Sequence, residues 1–109
     1  MKYPAKSYQK LFNSVLKDEY PEIESIEVEK GSFFKFTELE VKVHLKDYNY
    51  KNNGVGPCSV LGRDITTKMI YLTDYFGQRL VPDVKIYFQG KKICDSSDWK
   101  RGTSSAGPR

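Results

Sequence analysis

The chain holds one histidine and two cysteines in 109 residues, and that scarcity removes most metal and nucleophile chemistry. A structural zinc site takes four Cys or His ligands. Cys58, Cys94 and His44 are too few and too scattered to supply them. A cysteine nucleophile works with a base beside it, usually histidine. Cys58 has only His44 to draw on and reads better as a small buried thiol. No Cys-x-x-Cys occurs; a single Cys58–Cys94 bridge stays open, but two cysteines in a lysine-rich chain without a secretion signal read as reduced thiols. Apolar runs are short as well. No window approaches the ~20 residues of a membrane helix, and the N-terminus lacks the apolar core of a secretion signal. The expectations are a cytoplasmic chain with no membrane segment, no cofactor and no metal.

Other familiar signatures are incomplete. Gly54-Val-Gly-Pro-Cys-Ser-Val-Leu-Gly62 is followed by Arg63-Asp64. A phosphate-binding Walker loop would end in Gly-Lys-Ser/Thr, and a dinucleotide loop would place its third glycine earlier. Arg63, beside an expected helix start, remains a candidate anion contact. Glu22, Glu24, Glu27 and Glu29 lack calcium-loop spacing and read as a solvated strand face. Glu40-Val-Lys42 and Pro82-Asp83 contain the residues of a Pro-Asp…(Asp/Glu)-x-Lys nuclease, but in reversed order. A small hydrolase or nuclease is therefore a weak alternative.

What the chain does have is charge and aromatic rings. Eight tyrosines, six phenylalanines and one tryptophan supply core volume and part of the surface. The net charge is +4, unevenly spread, since residues 21–40 carry six glutamates against two lysines. The C-terminal part is basic, which suits an anionic partner.

Periodicity gives the elements. Ser7–Glu19 reads as a helix, with Tyr8, Leu11, Phe12, Val15 and Leu16 on one stripe and Asn13 among the polar residues opposite. Ser7 is the expected N-cap, and Pro21 ends the helix. Glu22–Lys30 reads as a strand, followed by a turn at Gly31-Ser32 and by Phe33, Phe34 and Phe36. Leu39, Val41, Val43 and Leu45 alternate strictly with polar neighbours across Glu38–Lys46, which is the pattern of a half-buried antiparallel strand. Cys58–Leu61 is a short apolar piece that could be a strand. Gly62–Gly77 reads as a second helix, with Asp64 as N-cap and Gly77 at its C-terminal turn, although β-branched Thr66, Thr67 and Ile70 leave a strand open there. Val84, Ile86 and Phe88 alternate, turn through Gln89–Lys92 and return at Ile93-Cys94 as a hairpin. The fold class is α+β: a two-layer sandwich, an antiparallel sheet with two helices, in the order α-β-β-(loop)-α-β-β. Residues 1–96 read as one domain and residues 97–109 as a basic, flexible tail, with Trp99 anchoring its start on the core.

Lys30-Gly-Ser-Phe-Phe-Lys-Phe36 resembles, over seven residues, the Lys-Gly-Ser-His-His segment of HicA-type ribonuclease toxins. The histidine that carries that family's catalysis is replaced here by Phe33 or Phe34. The resemblance implies a compact RNA-sized platform and no ribonuclease.

The leading candidate site is the loop Asp47–Pro57. Tyr48 and Tyr50, two apart on extended backbone, point the same way and suit base stacking. Lys51 would meet a phosphate, and Asn49 and Asn52 can read base edges. Lys91, Lys92, Lys100 and Arg101 add positive charge. The functional expectation is a small non-catalytic binding protein whose partner is nucleic acid. The alternative is a protein–protein interaction module such as an assembly subunit or inhibitor, with a homo-oligomer possible.

Overall fold

The computed structural model describes residues 3–31, 38–49 and 54–99. Helix α1 (Ala5–Glu19) forms where the stripe was read, and Tyr8, Phe12 and Leu16 are its buried residues. It starts two residues before the expected cap. Pro4 occupies the N-cap position, with no side-chain cap bond. Pro4 suits that place because the first N–H groups of a helix have no partner inside it. The helix ends at Tyr20, whose N–H bonds Leu16 O at 2.8 Å.

Strands β1 (Ile23–Lys30) and β2 (Leu39–Leu45) pair antiparallel, with Val28 opposite Val41 and Ile26 opposite Val43. Helix α2 (Val55–Tyr75) then crosses to β3 (Asp83–Phe88), β4 (Lys91–Asp95) and a short helix α3 (Ser96–Trp99). The sheet order is β1-β2-β3-β4. β2 and β3 run parallel, so the sheet is mixed and the expected antiparallel sheet is corrected at its centre. The physical reason is the crossover. A helix between two adjacent strands returns the chain to the same end of the sheet, and the second strand must then run in the same direction.

Helix α2 also corrects the sequence reading. It begins at Val55, so Cys58–Leu61 is helical and Asp64 lies inside the helix. Pro57 falls in the first turn, where its missing N–H costs nothing. Cys58, Gly62, Ile65, Met69 and Thr73 form its buried stripe. At the other end the expectation at Gly77 holds. Gly77 has φ 103°, its N–H bonds Asp74 O, and Gln78 N–H bonds Thr73 O, which together make a Schellman cap. The β3–β4 turn falls within Gln89–Lys92, as expected. Only Gln89 and Gly90 form it, both with positive φ, which is the two-residue turn whose twist matches flanking strands.

Both long helices cover one face of the sheet. Ile26, Val28, Leu39, Val41, Val43, Leu45, Val84 and Ile86 point into the core beneath them. Burying a side chain of this size stabilises the fold by roughly 1.5–3 kcal/mol. Trp99 packs against the same core. A Cβ built on Gly62 would lie 2.5 Å from Trp99 Cζ3, so the indole needs a glycine beneath it.

Two further contacts were not legible in the sequence. Cys58 on α2 and Cys94 on β4 form a disulfide, with Cα atoms 6.2 Å apart, which corrects the reading of free thiols. Asn13, expected on the wet side of α1, reaches the outer edge of β1. Its amide nitrogen donates to Ile26 O at 2.8 Å, and its amide oxygen accepts from Ile26 N–H at 3.0 Å. Gln9 Oε1 accepts from Val28 N–H at 2.9 Å. These bonds occupy backbone groups that an edge strand would otherwise present to another chain.

Candidate functional site

β2 and β3 are the central strands, and among the described residues their second face carries no helix. The register sets its side chains in rows. Ser25, His44, Tyr87 and Lys92 make one row across the four strands, and Glu27, Lys42, Lys85 and Asp95 make the next. Glu29, Glu40 and Asp83 make the third, on β1, β2 and β3. The face is therefore polarised, with an aromatic and basic end and an acidic end.

At the first end the rings of His44 and Tyr87 stack, with centroids 5.4 Å apart and planes 28° from parallel. Lys42 Nζ lies 6.0 Å from the Tyr87 centroid, near the limit for a cation–π contact. His44 Nε2 is 3.2 Å from Glu27 Oε1. Lys92 donates to Asp95 at 2.6 Å, and Lys85 Nζ lies 3.8 Å from Asp83. The bond to Asp95 raises the Lys92 pKa. Partial burial pushes the Asp95 carboxyl up, but bonds from Lys92 and Ser97 outweigh it and hold the group below its usual value. Lys92 is exposed, whereas Asp95 and both members of the Lys85–Asp83 pair are partly buried, so of these two lysines Lys92 is the more open to an incoming phosphate.

The expected site residues divide. Tyr48 is half-buried against the core, edge-on to Phe88 at 6.2 Å, and its hydroxyl donates to Gly54 O at 2.5 Å. It ties the two described ends of the loop together. Asn49 is exposed beside it. Lys91 is paired with Phe88 at the same end of the sheet, and Lys92 with Tyr87 on the open face. Arg63 is exposed inside α2, two turns beyond its start, so it does not sit at a helix N-terminus. Tyr50, Lys51, Asn52, Lys100 and Arg101 lie outside the described residues, as do Phe33, Phe34 and Phe36 of the toxin-like segment. The reversed nuclease residues do meet, Glu40 opposite Asp83 and Lys42 opposite Lys85. Among the described residues, however, no three His, Cys, Asp or Glu side chains are grouped to hold a metal ion.

A groove of about 620 Å³ runs around the end of the sheet, lined by Glu22, Lys46, Asp47, Tyr48, Asn49, Pro57 and Leu61. Lys46 extends the strand pairing by one residue, its N–H bonding Glu22 O at 2.9 Å. It therefore continues the alternation of Lys42 and His44 toward the groove.

Sequence reasoning named Lys92 as a candidate but not the His44–Tyr87 pair. Both residues stood on the polar side of alternating segments, and no local signal says that the strands are neighbours. Compared with protein-family models, curated proteins and solved structures, the chain has no match. The fold is a small α+β domain with a four-stranded mixed sheet, one face of which is uncovered among the described residues. No helix among the described residues is long and apolar enough to cross a membrane.

Proposed function

We propose that this chain is a non-catalytic binding domain for single-stranded nucleic acid, and that it uses the uncovered face of its sheet. The observation that carries this reading is the stacked His44–Tyr87 pair on the two central strands, with Lys42, Lys85 and Lys92 around it. Rings presented from a sheet stack bases without regard to sequence, and lysines beside them neutralise the backbone. The acidic row Glu29–Glu40–Asp83 keeps phosphates to the other end.

The test is equilibrium binding of labelled single-stranded DNA and RNA across a salt series. Affinity falls steeply with salt if lysines displace counterions, and the Tyr87→Ala variant binds about fivefold or more weakly, the worth of one stacked base. Absence of binding at low salt sinks the proposal.

A second reading, a protein-contact or self-associating module, is favoured by Tyr71 and Tyr75. They stand one turn apart on the outer side of α2, 64% and 87% exposed, and exposed tyrosines suit interfaces. Size-exclusion chromatography with light scattering separates a monomer from an oligomer. A nucleic-acid partner suits a cytoplasmic setting, whereas a persistent disulfide suits an oxidising one. Thiol trapping at the moment of cell lysis decides between them.

A further inference from the structure

The groove at the end of the sheet extends the proposed interface and differs from it in chemistry. It is lined by Lys46, one residue past β2, two positions on from His44 in the alternation that sets Lys42 and His44 on the open face. Two carboxylates, Glu22 and Asp47, edge it, and Asn49 stands with them. Pro57 and Leu61 give it an apolar wall.

Carboxylates repel a phosphate and accept N–H donors. An apolar wall suits a flat ring, and about 620 Å³ exceeds what one base needs. We infer, resting on the nucleic-acid reading above, that this groove takes a nucleobase bearing an exocyclic amino group. The amine donates to Glu22 or Asp47, the ring lies on Pro57 and Leu61, and the flanking phosphate stays outside near Lys46. Cytosine fits this description, because its N4 amine is the donor that Asp and Glu accept. Thymine offers a carbonyl oxygen at that position and meets two acceptors.

The experiment compares oligo-dC with oligo-dT of about ten nucleotides, a length within the range one small domain covers. Wild-type protein prefers oligo-dC by about fivefold or more, the low end of one good base contact. The Glu22→Gln, Asp47→Asn variant can donate as well as accept, and it loses that preference while keeping its dependence on salt and on Tyr87. Equal wild-type affinity for the two oligonucleotides, still sensitive to Tyr87→Ala, overturns the groove assignment and leaves the sheet reading standing. An oligo-dC preference that survives unchanged in the double variant also overturns it. No binding to either oligonucleotide removes both.

Discussion

Replacing both cysteines tests how much of the fold depends on one covalent link. Cys58 and Cys94 are 36 positions apart, and their bond closes a loop that contains most of α2 and the whole of β3. In the chain-entropy account, a loop of that length removes enough freedom from the unfolded chain to stabilise the native state by about 4 kcal/mol at 25 °C. Both residues are buried, so losing their sulfur atoms adds a smaller packing cost of roughly 1 kcal/mol. A domain of this size has about 5–15 kcal/mol in total, so the C58A/C94A variant loses about a third of it or more. The assay is urea unfolding followed by the Trp99 emission and by circular dichroism. With a slope of about 1–3 kcal/mol per molar urea, the combined loss lowers the midpoint by about 1.7–5 M. A loss under about 1 kcal/mol would refute the reasoning, because it would mean that the bridge restrains little in the unfolded chain.

The Asn13→Ala variant loses both bonds to Ile26, at an expected cost of about 1–3 kcal/mol in denaturant unfolding, and exposes a strand edge that shows as concentration-dependent association. Gly62→Ala drives a methyl group into the Trp99 ring and costs about 1–3 kcal/mol; its check is a red-shifted tryptophan emission as the indole leaves the core. Burial, and then the bond its hydroxyl donates to Asp64, raise the Tyr20 pKa well above its ordinary 10.0. The stability this brings is fully present below pH 10.0 and is lost as pH climbs beyond it, so ultraviolet titration shows one phenol ionising late, and Tyr20→Phe removes that step.

Much of this fold is written locally. The alternation from Leu39 to Leu45 marks β2 within a residue of each end, and Gly77 marks the end of α2 because an unstrained positive φ needs glycine there. The direction of β3 is not local. A parallel strand buried on both faces reads as a continuous apolar run, but β3 has one face in water, so Val84-Lys85-Ile86-Tyr87 alternates as an antiparallel strand does. The start of α2 was hidden by Gly56, Pro57 and Gly62, all weak helix formers. Each is explained only by its place, two in the first turn and one beneath Trp99. In the site, Lys92 was legible as charge beside a turn. The His44–Tyr87 pair depends on a register between strands joined by a long crossover, and no window of sequence contains it. Tyr48 was read as a ring for a ligand because nothing in the loop says that its hydroxyl turns back to Gly54.

The amide caps on β1 govern how the molecule can meet others of its kind. Asn13 and Gln9 hold both outward backbone groups of Ile26 and the N–H of Val28, so a neighbouring chain finds three of the edge's rungs already taken. At the opposite border β4 spans only Lys91–Asp95 and is bulged against β3. The domain is thus terminated at one border and short at the other. It can be stacked, tethered or covered, but it is poorly built to be zipped into a longer sheet. Two helix positions that would pass for ordinary solvent-facing amides carry that property, and engineering for solubility that exchanged them for charge would remove it.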